Sequence, residues 1–438
     1  MRPHPAPPRL RVRTGGALFF YKVRYLLSLG RYILHRRRYP LFRMSTLRLL
    51  RKGGKLALPK FVQFGRHYYA PILRVPRWPS AAYDQMVAGG GLNLDAMGTS
   101  AKTHLDSAIL GITRRCPYAC RHCYESHNLG ADEGVPMARW HEVVRDLQSW
   151  GASIIVLSGG EPMLRPEGLV ELVASGDKKR SDFHVHTSGF GVTPEIAERL
   201  ARAGLAAAGV ALDVPNAAAQ DLIRGHPGSF ELSILAIRYF RDAGIFPYVN
   251  ACLSHEVARP EELRRFLDFA RDLGVGVVSM NEPKPCGRFF GQQAEELFSP
   301  ADREAASRFF RDANISPETR HHPYVAYLPY FERPERFGCL MGGHSHLYVD
   351  SRGRVLPCLF VPVSFGSILE EPFAAIVHRM RKSVPAPIRR ECPSLLLLKT
   401  LREKVARGLS LPIPYAEIEQ EWGELVADPH LGTAGESL

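Results

Sequence analysis

Cys116-Pro-Tyr-Ala-Cys120-Arg-His-Cys123-Tyr124 places three thiols within eight residues, in the spacing C-x3-C-x2-C. Three thiolates this close together can wrap one small, soft metal cluster. A cube of four irons held by three such ligands keeps one iron open to another molecule. Structural zinc wants four ligands, commonly in two C-x2-C pairs, and the chain has no second pair. Disulfides fit poorly as well, because the triplet is odd and no secretion signal precedes it.

Outward from the triplet, the texture alternates between strand and helix. Candidate strands are 108–113, 153–157, 183–187, 207–212, 246–252 and 275–280; candidate helices are 139–150, 167–174, 194–203, 229–243 and 261–273. Thr193 before Pro194 is a helix-start signal. Six strands, each followed by a helix or a long connection, predict a parallel sheet. Right-handed crossovers curl it into a partial (β/α)6 barrel of the TIM type, an α/β fold. Functional residues of such barrels lie at the C-terminal ends of strands. The triplet follows the first strand; Ser158-Gly159-Gly160-Glu161-Pro162 ends the second; Thr187-Ser188-Gly189 ends the third; Gly209-Val-Ala-Leu-Asp213 forms the fourth. The paired glycines permit positive φ and close backbone approach to a ligand.

These motifs resemble the radical S-adenosylmethionine (SAM) superfamily, over about residues 107–290. The resemblance implies a [4Fe–4S] cluster on Cys116, Cys120 and Cys123, and SAM as its partner molecule. It implies that Gly159, Gly160, Glu161 and Pro162 receive the SAM amino group, and that Thr187 and Ser188 lie near its ribose and carboxylate. His122 stands where the family usually has an aromatic residue, Ser188 replaces a common Asn, and Ala211 replaces a Ser that contacts the cofactor in many members. Asp221-Leu-Ile-Arg224-Gly225 matches a D-x-x-R-G segment, which assigns Arg224 to the SAM carboxylate through its guanidinium fork. The competing role for Arg224 is a salt bridge with Asp221. Asp213 completes the expected cofactor set. The implied chemistry is reductive cleavage of SAM to a 5′-deoxyadenosyl radical, which abstracts hydrogen from a substrate. The protein orients the reactants and excludes water and oxygen.

Five cysteines remain. Cys339 and Cys358 flank a sequence in which Tyr348–Asp350 and Arg354–Leu356 predict a hairpin around Ser351-Arg-Gly353. The pattern resembles the start of the SPASM/twitch extension, which carries auxiliary clusters. The full extension also has a C-x2-C-x5-C-x3-C block, and this chain lacks it. One auxiliary cluster on Cys339, Cys358 and Cys392 is therefore expected. Its fourth ligand stays open between Cys286, His344, His346 and an open iron. Cys252, inside an apolar strand, is expected in the core. Cys286 is core, ligand or substrate-facing thiol.

Composition bounds the rest. With 45% hydrophobic and 23% charged residues the 438-residue chain is no disordered polymer, and eight cysteines make no disulfide scaffold. No run of 18 apolar residues suggests a membrane span. The net charge of +13 is concentrated at one end: residues 1–83 hold 19 Lys and Arg and no acid, and the remaining 355 hold 38 basic and 44 acidic residues. The expected organisation is a basic, partly helical extension and linker (1–105), a radical SAM core (106–320), a small iron–sulfur hairpin region (321–396) and a helical tail (397–438). Met1–Thr14 is expected to be disordered and 71–105 to be a linker. Residues 17–38 alternate Arg with Leu, Phe and Tyr at helical spacing; they suit either packing on the core or a membrane surface. Met44 is an alternative start.

The expected activity is that of a radical SAM oxidoreductase acting on a peptide or protein, with a reductant such as flavodoxin or ferredoxin, in the cytoplasm or on the inner face of the membrane. A lipid or isoprenoid substrate at the membrane surface is one alternative. A non-enzymatic iron–sulfur carrier or sensor is another. No cobalamin motif stands before Cys116, and no RNA module is recognisable, so nucleic acid is not expected.

Overall fold

The computed structural model describes residues 8–14, 60–69, 75–88 and 105–426. One nine-stranded sheet organises the molecule. Its central strands are β4 (Ser107–Gly111), β5 (Ile154–Ser158), β6 (Asp182–Thr187), β7 (Leu205–Ala211), β8 (Phe246–Cys252) and β9 (Val277–Asn281), in sequential, parallel order. Strands covered on both faces read as continuous apolar runs rather than alternations. Ile-Ile-Val-Leu-Ser of β5 is of this kind, buried at every position.

Between strands run the helices Met137–Ser149, Pro166–Ser175, Pro194–Ala203, Ala217–Arg224, Ser229–Asp242 and Pro260–Asp272. Pro194–Ala203 shows why they begin and end where they do. The Thr193 hydroxyl accepts from the Ile196 N–H at 3.2 Å, Pro194 takes the first turn, and Gly204 at φ +97° closes the end. These elements fulfil the sequence expectation of an α/β fold with a parallel, barrel-like sheet.

Both edges of the sheet gain strands. On one side β10 (Tyr324–Tyr327) pairs parallel with β9, so the sheet crosses the boundary expected at 320. On the other, β11 (His346–Val349) pairs parallel with β4, and β12 (Val355–Leu356) folds back antiparallel on β11. The β11–β12 pair is the hairpin expected around Gly353, whose φ of +86° the turn requires.

The N-terminal region corrects two expectations. Within Met1–Thr14, β1 (Leu10–Arg13) is ordered: it pairs antiparallel with β2 (Phe61–Phe64), and β2 with β3 (His67–Tyr69). Leu10 and Val62 pack over Gly276, where a Cβ would meet them at 3.1 and 2.3 Å; apolar burial outweighs the polar composition of the segment. Within the expected linker, Ala81–Ala88 is a helix that buries Ala82 and Met86. The amphipathic stretch 17–38 and residues 47–59 lie outside the described residues.

Lys60 anchors this sheet. Its buried ammonium donates to the carbonyls of Ala313 at 2.5 Å and Thr319 at 2.6 Å. Hydrogen bonds from a charged group are worth about 1.5–3 kcal/mol. Lys60→Ala is therefore expected to lower the urea midpoint by a destabilisation of about that size. An unchanged midpoint would show the anchor to be idle.

Candidate active site

The three-cysteine loop follows β4 and is clamped from three sides. Gly160 N–H donates to the Thr113 carbonyl at 2.8 Å, and Glu161 N–H to the Arg115 carbonyl at 2.7 Å. A Cβ on Gly160 would stand 2.2 Å from the Arg115 oxygen, and one on Gly159 2.6 Å from the Thr113 oxygen. The close approach that these glycines permit is thus to the cysteine loop, where the sequence pointed to a ligand. From below, Arg121 N–H donates to the Ile223 carbonyl at 2.9 Å, and Gly225 (φ +59°) presses on Ala119. From beyond β9, Arg288 N–H donates to the Cys123 carbonyl at 2.9 Å.

Held in this way, Cys116, Cys120 and Cys123 line a cavity of about 500 Å³ at the C-terminal ends of the strands. Burial pushes the Cys116 and Cys123 thiols up to about 12, so the free protein keeps them protonated. A cation bound among them would reverse that. None of the eight cysteines is in a disulfide. Among the described residues no three Cys, His, Asp or Glu side chains close in on a single point as the ligands of a lone ion do. Thiols set around a shared cavity fit a bulkier iron–sulfur group.

Glu161, Thr187, Ser188 and Arg224 line the same cavity, whereas Pro162 and Asp213 do not reach it. Pro162 is buried as the first residue of a short helical turn. The Glu161 carboxylate accepts from Thr187 Oγ1 (2.7 Å), Ser188 Oγ (2.5 Å), Ser188 N–H (2.7 Å) and Met163 N–H (3.1 Å). Thr187 and Ser188 thus position Glu161. Burial raises the pKa of this carboxyl, and these donors pull against the rise. Arg224 forms no salt bridge with Asp221. Its Nη2 donates to Asp213 Oδ1 at 2.9 Å, and its Nε lies 2.8 Å from Asp213 Oδ2. Asp221 instead accepts from the N–H groups of Gly228 and Phe230 at the start of the next helix. Asp213 is spent on Arg224 and on the Cys252 N–H at 2.8 Å, which explains its place behind the wall.

Comparison with known proteins agrees with this geometry. The radical SAM superfamily model matches residues 110–278. An AdoMet-dependent heme synthase from Methanosarcina barkeri is 30% identical over 288 residues, which cover 60% of this chain and 80% of that protein. The chain belongs to the radical SAM superfamily. A second model, the SPASM iron–sulfur cluster-binding domain, matches residues 339–392, bounded by two of the expected auxiliary cysteines. A PqqA peptide cyclase from Streptomyces rochei is 29% identical over 259 residues, covering 57% of this chain and 68% of that one. The crystal structure of Streptococcus suis SuiB bound to S-adenosylmethionine shares the fold, with a TM-score of 0.53 at 14% identity over 74% of this chain and 79% of that one. The chain is accordingly a radical SAM enzyme, with a [4Fe–4S] cluster and SAM as cofactors and an auxiliary iron–sulfur cluster in its SPASM domain.

The SPASM segment of this radical SAM enzyme is bolted to the cysteine loop. The Asp350 carboxylate accepts from Asn128 Nδ2 at 3.1 Å and Arg354 Nε at 2.8 Å, and Ser351 Oγ donates to Glu125 at 3.1 Å. Cys339, Cys358 and Cys392 line the same cavity as the first three cysteines. Cys339 exchanges both backbone hydrogen bonds with Ile388, at 2.8 and 2.9 Å, which draws Cys392 toward it. His346 also lines the cavity. His344 turns its Nε2 to the Val384 carbonyl at 2.9 Å. Among the described residues no helix is long and apolar enough to cross a membrane.

Several cavity residues escaped the sequence. Tyr118, inside the cysteine triplet, stacks on His226 at 4.4 Å, with Phe190 edge-on to both. His186 Nε2 and Tyr248 OH hydrogen-bond at 2.8 Å across Gly209, where a Cβ would strike both rings at 2.7 Å. Burial lowers His186 to about 4, so it is neutral at pH 7. Gly209 in the middle of a strand was the signal for this close approach.

Proposed function

We propose that Cys116, Cys120 and Cys123 hold the [4Fe–4S] cluster, which supplies one electron to SAM, and that the 5′-deoxyadenosyl radical so formed takes hydrogen from a peptide. The observation that carries this reading is the convergence of the three thiols, Glu161 and Arg224 on one cavity. A reductant such as flavodoxin or ferredoxin would supply the electron, and SAM on the cluster would supply the hydrogen-abstracting radical with release of methionine. The Gly159–Glu161 turn lies along the cavity to receive the SAM amino group, the Glu161 carboxylate itself being taken by its four donors, and Arg224 faces the SAM carboxylate while Asp213 holds the guanidinium. The Tyr118–His226 stack supplies flat surfaces beside the thiols for an adenine ring. The His186–Tyr248 pair and the apolar wall exclude water from the radical's path.

The peptide assignment is supported by similarity to the PqqA peptide cyclase. A second reading, a substrate with several carboxylates such as a tetrapyrrole, is favoured by a specific feature. Lys284, Arg303, Arg333 and Arg390 all line the cavity, together with Glu282, Glu332 and Glu391, of which Glu282 pairs with Lys284 and Arg303. Similarity to the heme synthase points the same way.

Anaerobically reconstituted protein with dithionite and SAM is expected to form 5′-deoxyadenosine. Absence of both SAM binding and cleavage in the iron-loaded protein would refute the proposal. An iron porphyrin bearing propionates, titrated into the same sample, separates the substrates: a shifted Soret band with faster 5′-deoxyadenosine release favours the second reading, and silence the first. Replacing Cys339 and Cys358 with alanine is expected to remove about four irons per chain and to spare SAM binding. An unchanged iron count would refute the auxiliary assignment.

A further inference from the structure

The strands that wall the cavity line it with small and polar side chains. A packed barrel fills this space with layers of bulky, branched ones. Here one layer runs His186, Gly209 and Tyr248 across β6, β7 and β8, and the next runs Ala211, Asn250 and Ser279 across β7, β8 and β9. All of these line the cavity, as does Asn281 at the end of β9. Among the described residues no strand position that lines the cavity is Asp, Glu, Lys or Arg. The charged lining residues stand on loops and helices beyond the strand ends, where Glu282 is spent on Lys284 and Arg303.

Two side-chain amides in this wall hold each other in one orientation. Asn281 Nδ2 lies 3.2 Å from the Ala251 carbonyl oxygen, which can only accept, so the Asn281 atom there must be the nitrogen. Its other proton goes to Asn250 at 2.8 Å, so the Asn250 atom that receives it must be Oδ1. Asn250 Nδ2 is thereby left as a donor and Asn281 Oδ1 as an acceptor. Among the described residues neither atom has a hydrogen-bond partner. A donor beside an acceptor is the complement of an amide, which offers a carbonyl oxygen and an N–H. A carboxylate offers acceptors only. It would meet Asn281 Oδ1 oxygen to oxygen, and no strand-borne cation would replace its lost water.

We propose that Asn250 and Asn281 bind an amide of the substrate, Asn250 Nδ2 donating to its carbonyl and Asn281 Oδ1 accepting from its N–H. The pair thereby holds the neighbouring carbon in the cavity that the thiols share. The proposal rests on the hydrogen-abstraction reading above and makes the substrate a peptide, bound through its backbone or through an Asn or Gln side chain. Ser279 and Ala211, the small neighbours of Asn250 in its layer, leave room for the amide. His186 and Tyr248, bonded to each other, form the floor.

The test uses the reconstituted full chain with SAM and dithionite. The probes are peptides capped as N-acetyl and N-methylamide and deuterated on carbon: trialanine, and the same peptide with Asn or Gln at its centre. Mass spectrometry counts deuterium in the 5′-deoxyadenosine, and SAM affinity is measured alongside. The parent is expected to take deuterium. Transfer from trialanine supports a backbone amide, and transfer from the Asn or Gln peptides alone supports a side-chain amide. N250D, equal in shape, sets a second acceptor in place of the donor and is expected to lower transfer about tenfold with SAM affinity unchanged. N281A is expected to do the same. Unchanged transfer in both variants overturns the amide site and leaves hydrogen abstraction standing. Weaker SAM binding in either variant gives the pair to SAM and also overturns it. SAM cleavage with no deuterium from any peptide overturns the amide site and the peptide assignment, and absence of SAM cleavage overturns the reading beneath both.

Discussion

Alanine at Cys116, Cys120 and Cys123 together is expected to remove about four irons per chain and to abolish 5′-deoxyadenosine formation. The reason is local. These thiols are half-buried, Cys116 and Cys123 are held protonated by their surroundings, and no other cysteine lies on their loop. The clamps on the loop are backbone hydrogen bonds from Gly160, Glu161, Arg121 and Arg288, none of which uses a thiol. The polypeptide should therefore keep its shape, with a far-UV circular dichroism spectrum like the parent's. About four irons should remain at the auxiliary site. Iron analysis and chromatography of the reaction products check both statements. Residual SAM cleavage above the protein-free rate would remove the cluster assignment from this loop.

Arg224→Ala is expected to do two kinds of damage. The guanidinium and the Asp213 carboxylate form an ion pair at 2.8–2.9 Å in which Asp213 is fully buried. Removing one partner of such a pair leaves an uncompensated charge and costs about 3–5 kcal/mol. Urea unfolding of the apoprotein should show a loss of that order. Independently, SAM should bind more weakly, by about tenfold or more for each 1.4 kcal/mol of lost contact with its carboxylate. Arg224→Lys separates the two effects. A lysine keeps the charge beside Asp213 but cannot form the fork, so stability should recover more than affinity. Equal recovery of both, or full SAM affinity in Arg224→Ala, would reduce Arg224 to a purely structural partner of Asp213.

The barrel was legible because its signals are local. The pattern of β8 and of the helix Pro194–Ala203 gave their limits to the residue, since Gly204, Thr193 and Pro194 mark the ends of the latter. The helix Ala217–Arg224 was missed, although the Asn216 cap and Gly225 frame it; eight residues with three alanines carry little periodicity. What joins distant parts of the chain was not legible. That Leu10 would pack over Gly276, that β11 would lie beside β4, and that Arg224 would choose Asp213 over Asp221 depend on neighbours more than ten residues away. The cysteine spacings announced which thiols to watch. They did not show that the two glycines before Glu161 exist to fit the cysteine loop, because that fit is visible only when both loops are in place.

The parallel pairing of β11 with β4 has a consequence for how such an enzyme can be rebuilt. A module strung on a flexible tether can be cut away or exchanged at little cost to its neighbour. Here the strand that leads into the first cysteine loop has the strand after Cys339 as its lateral partner. A chain cut after β9 would bare the flanks of β4 and β9, each offering a row of unpaired amides to other chains. Core and extension must therefore be transplanted together, and a chimera that joins this barrel to a foreign extension has to reproduce the register His346↔Ser107 before its chemistry can be judged.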